Sequence, residues 1–179
     1  MVEKLSEHFT LEEMTYSATA KANRISNIPV GTHKKVLQHT CIYLLEPLRA
    51  LLNNKYREYN GKRIKNVSLK ITSGYRGPAL NKAVGGVSTS EHCLGQAADC
   101  EAVLSFIDGT KRVLPYTELY ENIKAWVKEG KLSVNQCIQE KSGSAVWVHV
   151  SHHAAGRARD KREFLKYDGR TYRLDVRLP

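Results

Sequence analysis

The chain has 179 residues, with 28 Lys and Arg against 18 Asp and Glu and a formal net charge of +10. At 41% hydrophobic and 26% charged residues it is excluded from the mainly disordered class. Its length suits one domain, residues 1–179, that buries most of its apolar surface without disulfide or metal staples.

In chain order, Thr10-Leu-Glu-Glu13 reads as a capping box, with Thr10 accepting from the amide three residues on and Glu13 reaching back. A short helix is expected from there to about Lys21, and Asn27-Ile-Pro29 breaks the pattern. His33 to about Tyr56 carries Val36, Cys41, Leu44, Leu45, Leu48 and Leu52 at three- and four-residue steps, which predicts one long amphipathic helix. Pro47 should bend it or remove one hydrogen bond. Its apolar run, Cys41 to Leu52, is broken by Glu46, Pro47 and Arg49 and is too short to span a membrane, so no membrane partner is expected. Val67 to Thr72 alternates and predicts a strand.

Ser73 to Leu94 is rich in glycine and polar residues, and a loop of that length inside a compact domain points to function. A short helix from Ala79 to Val84 is expected within it. Further on, strands are expected over Gln96 to Val103, Ser133 to Gln139 and Ala145 to Ser151. Lys141 to Ser144 would be the hairpin loop, and Tyr116 to Gly130 an amphipathic helix. Arg157 to Pro179 is basic and weakly patterned, with Tyr172 to Leu178 as a possible edge strand and the cationic side chains as solvated surface. Helices followed by strands argue for an α+β fold.

Cys41, Cys93, Cys100 and Cys137 form no CxxC pair and read as reduced thiols. The amino terminus lacks the basic and apolar regions of a secretory signal, so folding in the cytoplasm is expected. The positive charge implies an acidic partner, which could be nucleic acid, anionic lipid or cell-wall polymer. Nothing resembles a recognised nucleic-acid motif, so nucleic acid is the least favoured of these.

The chemistry concentrates in Ser90-Glu-His92-Cys-Leu-Gly95-Gln-Ala-Ala-Asp99 and in Trp147-Val-His149-Val-Ser151. His92 offers an imidazole nitrogen and Asp99 a carboxylate oxygen, both suited to zinc. An unpaired carboxylate inside an apolar strand is costly, and a cation beside it removes that cost. The alternative is a plain His–Asp hydrogen-bonded pair at a turn. His149 is a third candidate ligand, convergent with the others if its strand neighbours that of Asp99. Three protein ligands leave a position for water, which is the catalytic form of a zinc site. Glu140, just before the expected hairpin loop, is the candidate general base. Cys93, beside His92, is a less suitable soft ligand, and His8, His33, His39, His152 and His153 read as structural or surface residues.

Ser-x-His-x-x-Gly-x-Ala-x-Asp followed by a Trp-Val-His strand resembles the M15 zinc peptidases. These comprise D-Ala-D-Ala carboxypeptidases and dipeptidases and phage L-alanyl-D-glutamate endolysins, and they share a fold with the hedgehog signalling domain. Leu5 to Phe9, Leu45-Glu-Pro-Leu-Arg49 and Ser73-Gly-Tyr-Arg-Gly77 support the resemblance, most to the phage and prophage branch. It covers about residues 5–151, leaving 152–179 as a basic extension.

The resemblance implies amino-terminal helices packed on a small antiparallel sheet that carries a zinc site. It implies Zn2+ held by His92, Asp99 and His149, with Glu140 as base. Family members with an acidic base three residues before the last ligand, or a His two before it, have here Val146 and Trp147. The resemblance further implies that Arg76 binds substrate and polarises the scissile carbonyl, that Ser90 contacts substrate and that Tyr75 lines the pocket. The implied substrate is a peptidoglycan stem peptide, met after release of the enzyme or from a phage particle. The alternative is a non-catalytic zinc-containing module on the same fold.

Overall fold

The computed structural model describes residues 2–153 and 160–179. Six α-helices are present among them: α1 (Leu11–Thr15), α2 (Ala18–Ala22), α3 (Thr32–Thr40), α4 (Glu46–Lys55), α5 (Pro78–Ala83) and α6 (Tyr116–Lys128). The strands are β1 (Glu58–Tyr59), β2 (Lys62–Ser73), β3 (Ala97–Phe106), β4 (Lys111–Val113), β5 (Gln136–Ser142), β6 (Ala145–Ser151), β7 (Glu163–Tyr167) and β8 (Tyr172–Arg177). They form one sheet in the order β1-β2-β3-β6-β5-β7-β8, with β4 paired to the far end of β3. The α+β class expected from the sequence therefore holds. None of the described helices is long and apolar enough to cross a membrane.

Thr10 caps α1 as its motif requires, accepting from the Glu13 amide at 3.1 Å, but the helix stops at Thr15 and a second begins under Ser17. The expected long helix is interrupted. Between α3 and α4 lies a π-helical segment, Cys41–Leu45, in which the Glu46 amide reaches back five residues to the Cys41 carbonyl. Pro47 follows directly, in the first turn of α4. A proline cannot donate to the carbonyl four residues before it, and the wider turn takes up that defect while Leu44, Leu45, Leu48 and Leu52 stay fully buried.

The period of two sorts the sheet into two faces. Ala98, Cys100, Val148, Val150, Cys137 and Phe164 face the core, which α6 and the α3–α4 arm complete. Asp99, His149 and Ile138 fall on the opposite face, which is open to a cleft. The largest departure from expectation lies at the carboxy terminus. β8 is the edge strand expected over Tyr172 to Leu178, but the segment before it, read as part of a basic extension, forms β7, which pairs parallel to β5. The sheet is thus larger than expected and not wholly antiparallel. The tail cations are partly neutralised: Lys166 meets Asp175 at 3.2 Å, Arg173 meets Asp168 at 3.8 Å, and Arg177 pairs with Glu163. Arg157 and Arg159 lie outside the described residues.

Gly74 is where the end of β2 meets α1. A Cβ there would stand 2.3 Å from the Met14 carbonyl oxygen, because the adjacent Tyr75 amide donates to that same oxygen at 2.7 Å. Gly74→Ala is expected to cost about 1–3 kcal/mol, since the crowding is against backbone that cannot swing away. Urea denaturation of the two proteins measures this, and equal midpoints would refute the close approach.

Candidate metal centre

Three elements deliver the site. The 3₁₀ turn Glu91–Leu94 carries His92, β3 carries Asp99 and β6 carries His149. Asp99 and His149 are directly paired across the antiparallel β3–β6 ladder, so the strand adjacency that convergence requires is present. The turn is fixed from behind. Gly95 ends it at φ 75°, and a Cβ there would come within 2.8 Å of the His33 carbonyl oxygen. The Gly95 carbonyl accepts from Thr40 Oγ1 at 2.8 Å, which ties the turn to α3.

The donor atoms meet closely. His92 Nε2 lies 3.2 Å from Asp99 Oδ1 and 3.1 Å from His149 Nδ1, and His149 Nδ1 lies 2.9 Å from Asp99 Oδ1. Atoms held about 2.0–2.1 Å from a tetrahedral zinc ion stand about 3.3 Å from one another. The triangle is thus close to one face of such a tetrahedron and needs only slight expansion. Proton bookkeeping points the same way. His92 Nδ1 sits 2.6 Å from the Gly74 carbonyl, which can only accept, so Nδ1 carries the proton and Nε2 presents a lone pair. That lone pair faces a carboxylate oxygen and a second imidazole, an arrangement suited to a shared cation.

The electrostatics agree at His92 and Asp99, whereas at His149 the Asp99 carboxylate overcomes burial and raises the ring's pKa. Burial dominates at His92 and lowers its pKa, keeping the ring in the neutral form a ligand needs. Burial alone would raise the Asp99 carboxyl. The two imidazoles that converge on its Oδ1 outweigh burial and hold Asp99 well below the usual carboxylate range. All three residues are at most 7% exposed, and together they form a group able to hold a metal ion. Cys93 is not part of that group.

Around the triad lies a cleft of about 620 Å³, within the usual range for a ligand site. Arg76, Ser90 and Glu140 all line it. Glu140 lies inside β5, opposite Trp147, and not at the end of the strand, because the hairpin turn is shorter than expected and consists of Gly143 and Ser144 alone. Burial first, and then the charge of Asp99, push its carboxyl up to about 7. Arg76 Nη2 approaches Ser90 Oγ at 3.4 Å, while its buried Nε has no hydrogen-bond partner among the described residues.

Tyr75 does not line the cleft. It is 3% exposed, belongs to the core, and its hydroxyl lies 3.3 Å from His33 Nδ1. The core takes up its ring, and the neighbouring Arg76 lines the cleft.

Asn27 went unnoticed as a positioning residue. Its Nδ2 donates to the Tyr75 and Thr15 carbonyls and its Oδ1 accepts from the Gly77 amide, all at 2.8 Å, so it clamps the loop that presents Arg76. The only signal in the sequence was a polar residue before Ile-Pro, which reads equally well as an ordinary break. The other histidines have structural partners: His8 Nδ1 meets Glu46 Oε2 at 2.8 Å, and His152 Nδ1 meets Asp160 Oδ2 at 2.6 Å.

A family model described as Peptidase M15 matches residues 7–108. The chain belongs to the M15 peptidase family. The matched span holds Arg76, Ser90, His92 and Asp99 and ends before Glu140 and His149, which the sheet register brings to the same cleft. No curated protein matches the chain. M15 members are metallopeptidases, and the His92–Asp99–His149 group of this member could hold a metal ion.

Proposed function

We propose that this M15 peptidase is a zinc enzyme that hydrolyses peptidoglycan stem peptides, as a D-Ala-D-Ala carboxypeptidase or as an endopeptidase of the phage endolysin type. The observation that carries the reading is the convergence of two imidazole nitrogens and one carboxylate oxygen, 2.9–3.2 Å apart, on the floor of a cleft that also holds Glu140 and Arg76. His92, Asp99 and His149 would hold Zn2+, which when bound supplies Lewis-acid polarisation and a water of lowered pKa.

The chain's own residues account for the rest of the reaction. Glu140, with its carboxyl raised to about 7, is poised to accept a proton from the attacking water and to return it to the leaving amine. Arg76 has a buried Nε–H, without a partner among the described residues, for the developing oxyanion or for a substrate carboxylate. Ser90, within reach of Arg76, orients the same part of the substrate. The Gly74 carbonyl keeps His92 in the ligating tautomer. A net charge of +10 favours accumulation on an anionic wall, reached after release from the cell or from a phage particle.

The test is metal content together with digestion of purified peptidoglycan, before and after chelation. The expected result is one zinc per chain and release of D-Ala or of cut stem peptides that stops on chelation and returns with zinc. The product identifies the bond. One tightly held zinc with no product from any wall type would sink the enzymatic reading in favour of a binding module.

A further inference from the structure

The cleft continues past Glu140. Across the sheet, Trp147 pairs with Glu140, Glu140 with Tyr167, and Tyr167 with Tyr172, so these four residues occupy one lateral row. The adjacent row runs from Asp99 through His149 and Ile138 to Leu165. Both rows, including Leu165, Tyr167 and Tyr172, line the same cleft. Three of these eight residues are supplied by β7 and β8, beyond the residues that match the family model.

The placement of Tyr172 depends on a bulge. In β8, Val176 pairs with Phe164 and packs against the core, and the register then shifts by one before Leu174 meets Leu165. Without that shift Tyr172, four residues from Val176, would face the core side, because strand side chains alternate. With it, Tyr172 turns to the cleft and stacks on Tyr167, ring centroids 4.3 Å apart and planes 24° from parallel. The residue remains 55% exposed, so the stack leaves much of it uncovered. Burial, and next the charge of Glu140, raise its phenol to about 12, which keeps the ring neutral beside the catalytic groups.

We infer that the β7–β8 hairpin is a substrate-selecting subsite, in which Leu165, Tyr167 and Tyr172 receive the apolar surface of an extended peptide on the side of the scissile bond away from Arg76. The inference rests on the peptidase reading and deepens it. The size of the cleft supports an extended occupant. Its 620 Å³ equals the liquid volume of roughly twenty waters, more than the eleven non-hydrogen atoms of an alanine dipeptide can fill. Its chemistry supports an uncharged contact, because the hairpin's cleft-lining carboxylate, Glu163, is already taken by Gln136 Nε2 at 2.7 Å and by Arg177. An apolar ring pair binds by area and by stacking, so its contribution falls on binding of long substrates and not on the bond-breaking step.

The experiment compares a synthetic stem pentapeptide with the dipeptides L-Ala-D-Glu and D-Ala-D-Ala. Binding is read by calorimetry on zinc-loaded Glu140→Gln protein, and hydrolysis on the otherwise native protein. Tyr172→Thr removes the outer ring but keeps a good strand former at an exposed edge position. Tyr172→Phe keeps the ring. The expected result for Tyr172→Thr is a pentapeptide Kd weakened roughly tenfold, a KM raised alike, kcat within twofold, dipeptide binding and zinc content unchanged, and recovery with Tyr172→Phe. Equal losses on pentapeptide and dipeptides, no loss on either, or a failure of Tyr172→Phe to recover would each overturn the subsite. Circular dichroism and the melting temperature of Tyr172→Thr identify a variant that has lost its hairpin. In that event Leu165→Ser, on the neighbouring row, must show the same length-dependent loss or the subsite falls. Calorimetry without turnover separates the two readings: pentapeptide-selective binding that depends on Tyr172, in a protein that cuts nothing, refutes the peptidase reading alone.

Discussion

Asp99→Asn is expected to give a folded protein that no longer retains zinc through gel filtration and no longer cleaves peptidoglycan. The carboxylate is the one anionic member of the triad, and its Oδ1 is the atom both His92 Nε2 and His149 Nδ1 approach, at 3.2 and 2.9 Å. An amide oxygen in its place carries no net charge, and its NH2 group brings protons where a cation is to sit. The loss of affinity should exceed the roughly 10–100-fold typical of removing an outer partner of a ligand. Bound zinc by elemental analysis reads the outcome directly. One equivalent retained by the variant would mean that the three convergent atoms are a hydrogen-bonded cluster and not a metal centre.

That alternative, a His–Asp pair at a turn, was open on the sequence, and geometry weighs against it. His92 spends its only proton on Gly74, a partner eighteen residues upstream that no spacing reveals. The ligands themselves were legible because ligand chemistry is local: a His, a turn glycine and an Asp inside an apolar strand carry their own reason for being there. His149 was legible through alternation, which set it on one face with Trp147 and Ser151. Its pairing opposite Asp99 is a matter of sheet order, which no single segment encodes.

The carboxy-terminal strands were harder to read for a different reason. Glu163-Phe-Leu-Lys-Tyr167 has only one fully buried side chain, Phe164, and β8 is an edge strand with mostly exposed positions. A strand that divides its apolar residues between both faces, Phe164 to the core and Leu165 and Tyr167 to the cleft, and whose partner is parallel and distant has weak local patterning. Asp168-Gly169 shortly before the alternating run of β8 was nevertheless a hairpin signal in plain view, and the density of arginine and lysine around it masked it. Tyr75 erred in the opposite direction. Adjacent to Arg76 in a loop read as functional, it was assigned to the cleft, whereas an aromatic ring beside a glycine that touches Met14 has the core as its nearest apolar surroundings. The π segment before Pro47 lies between these cases: a defect was predictable from the proline, but its form depended on keeping four leucines buried.

Glu140→Gln is expected to retain zinc and to lower kcat by roughly 10²- to 10⁴-fold, the usual worth of a positioned general base. The same substitution should stabilise the chelated protein, and the sign depends on pH. The folded carboxyl, raised to about 7 chiefly by burial and then by Asp99, lies above its ordinary value of 4.5. Between those values the folded state binds more protons than the unfolded one, so stability falls as pH rises through the window. Above pH 7 the native protein holds a buried carboxylate beside Asp99 that glutamine does not. The variant should therefore melt several degrees higher at pH 8 and at nearly the same temperature at about pH 3.5, below the ordinary carboxyl value, where the glutamate is largely neutral in both the folded and the unfolded chain. Zinc in the triad brings positive charge next to Glu140 and lowers its pKa, so the acidic limb of kcat/KM in the loaded enzyme should fall below 7. A residue that costs stability in the empty protein and supports turnover in the loaded one is what a catalytic base in a partly dry cleft should be. Equal melting temperatures at pH 8, with kcat unchanged, would instead make Glu140 a solvated strand residue and leave the reaction without a base from this chain.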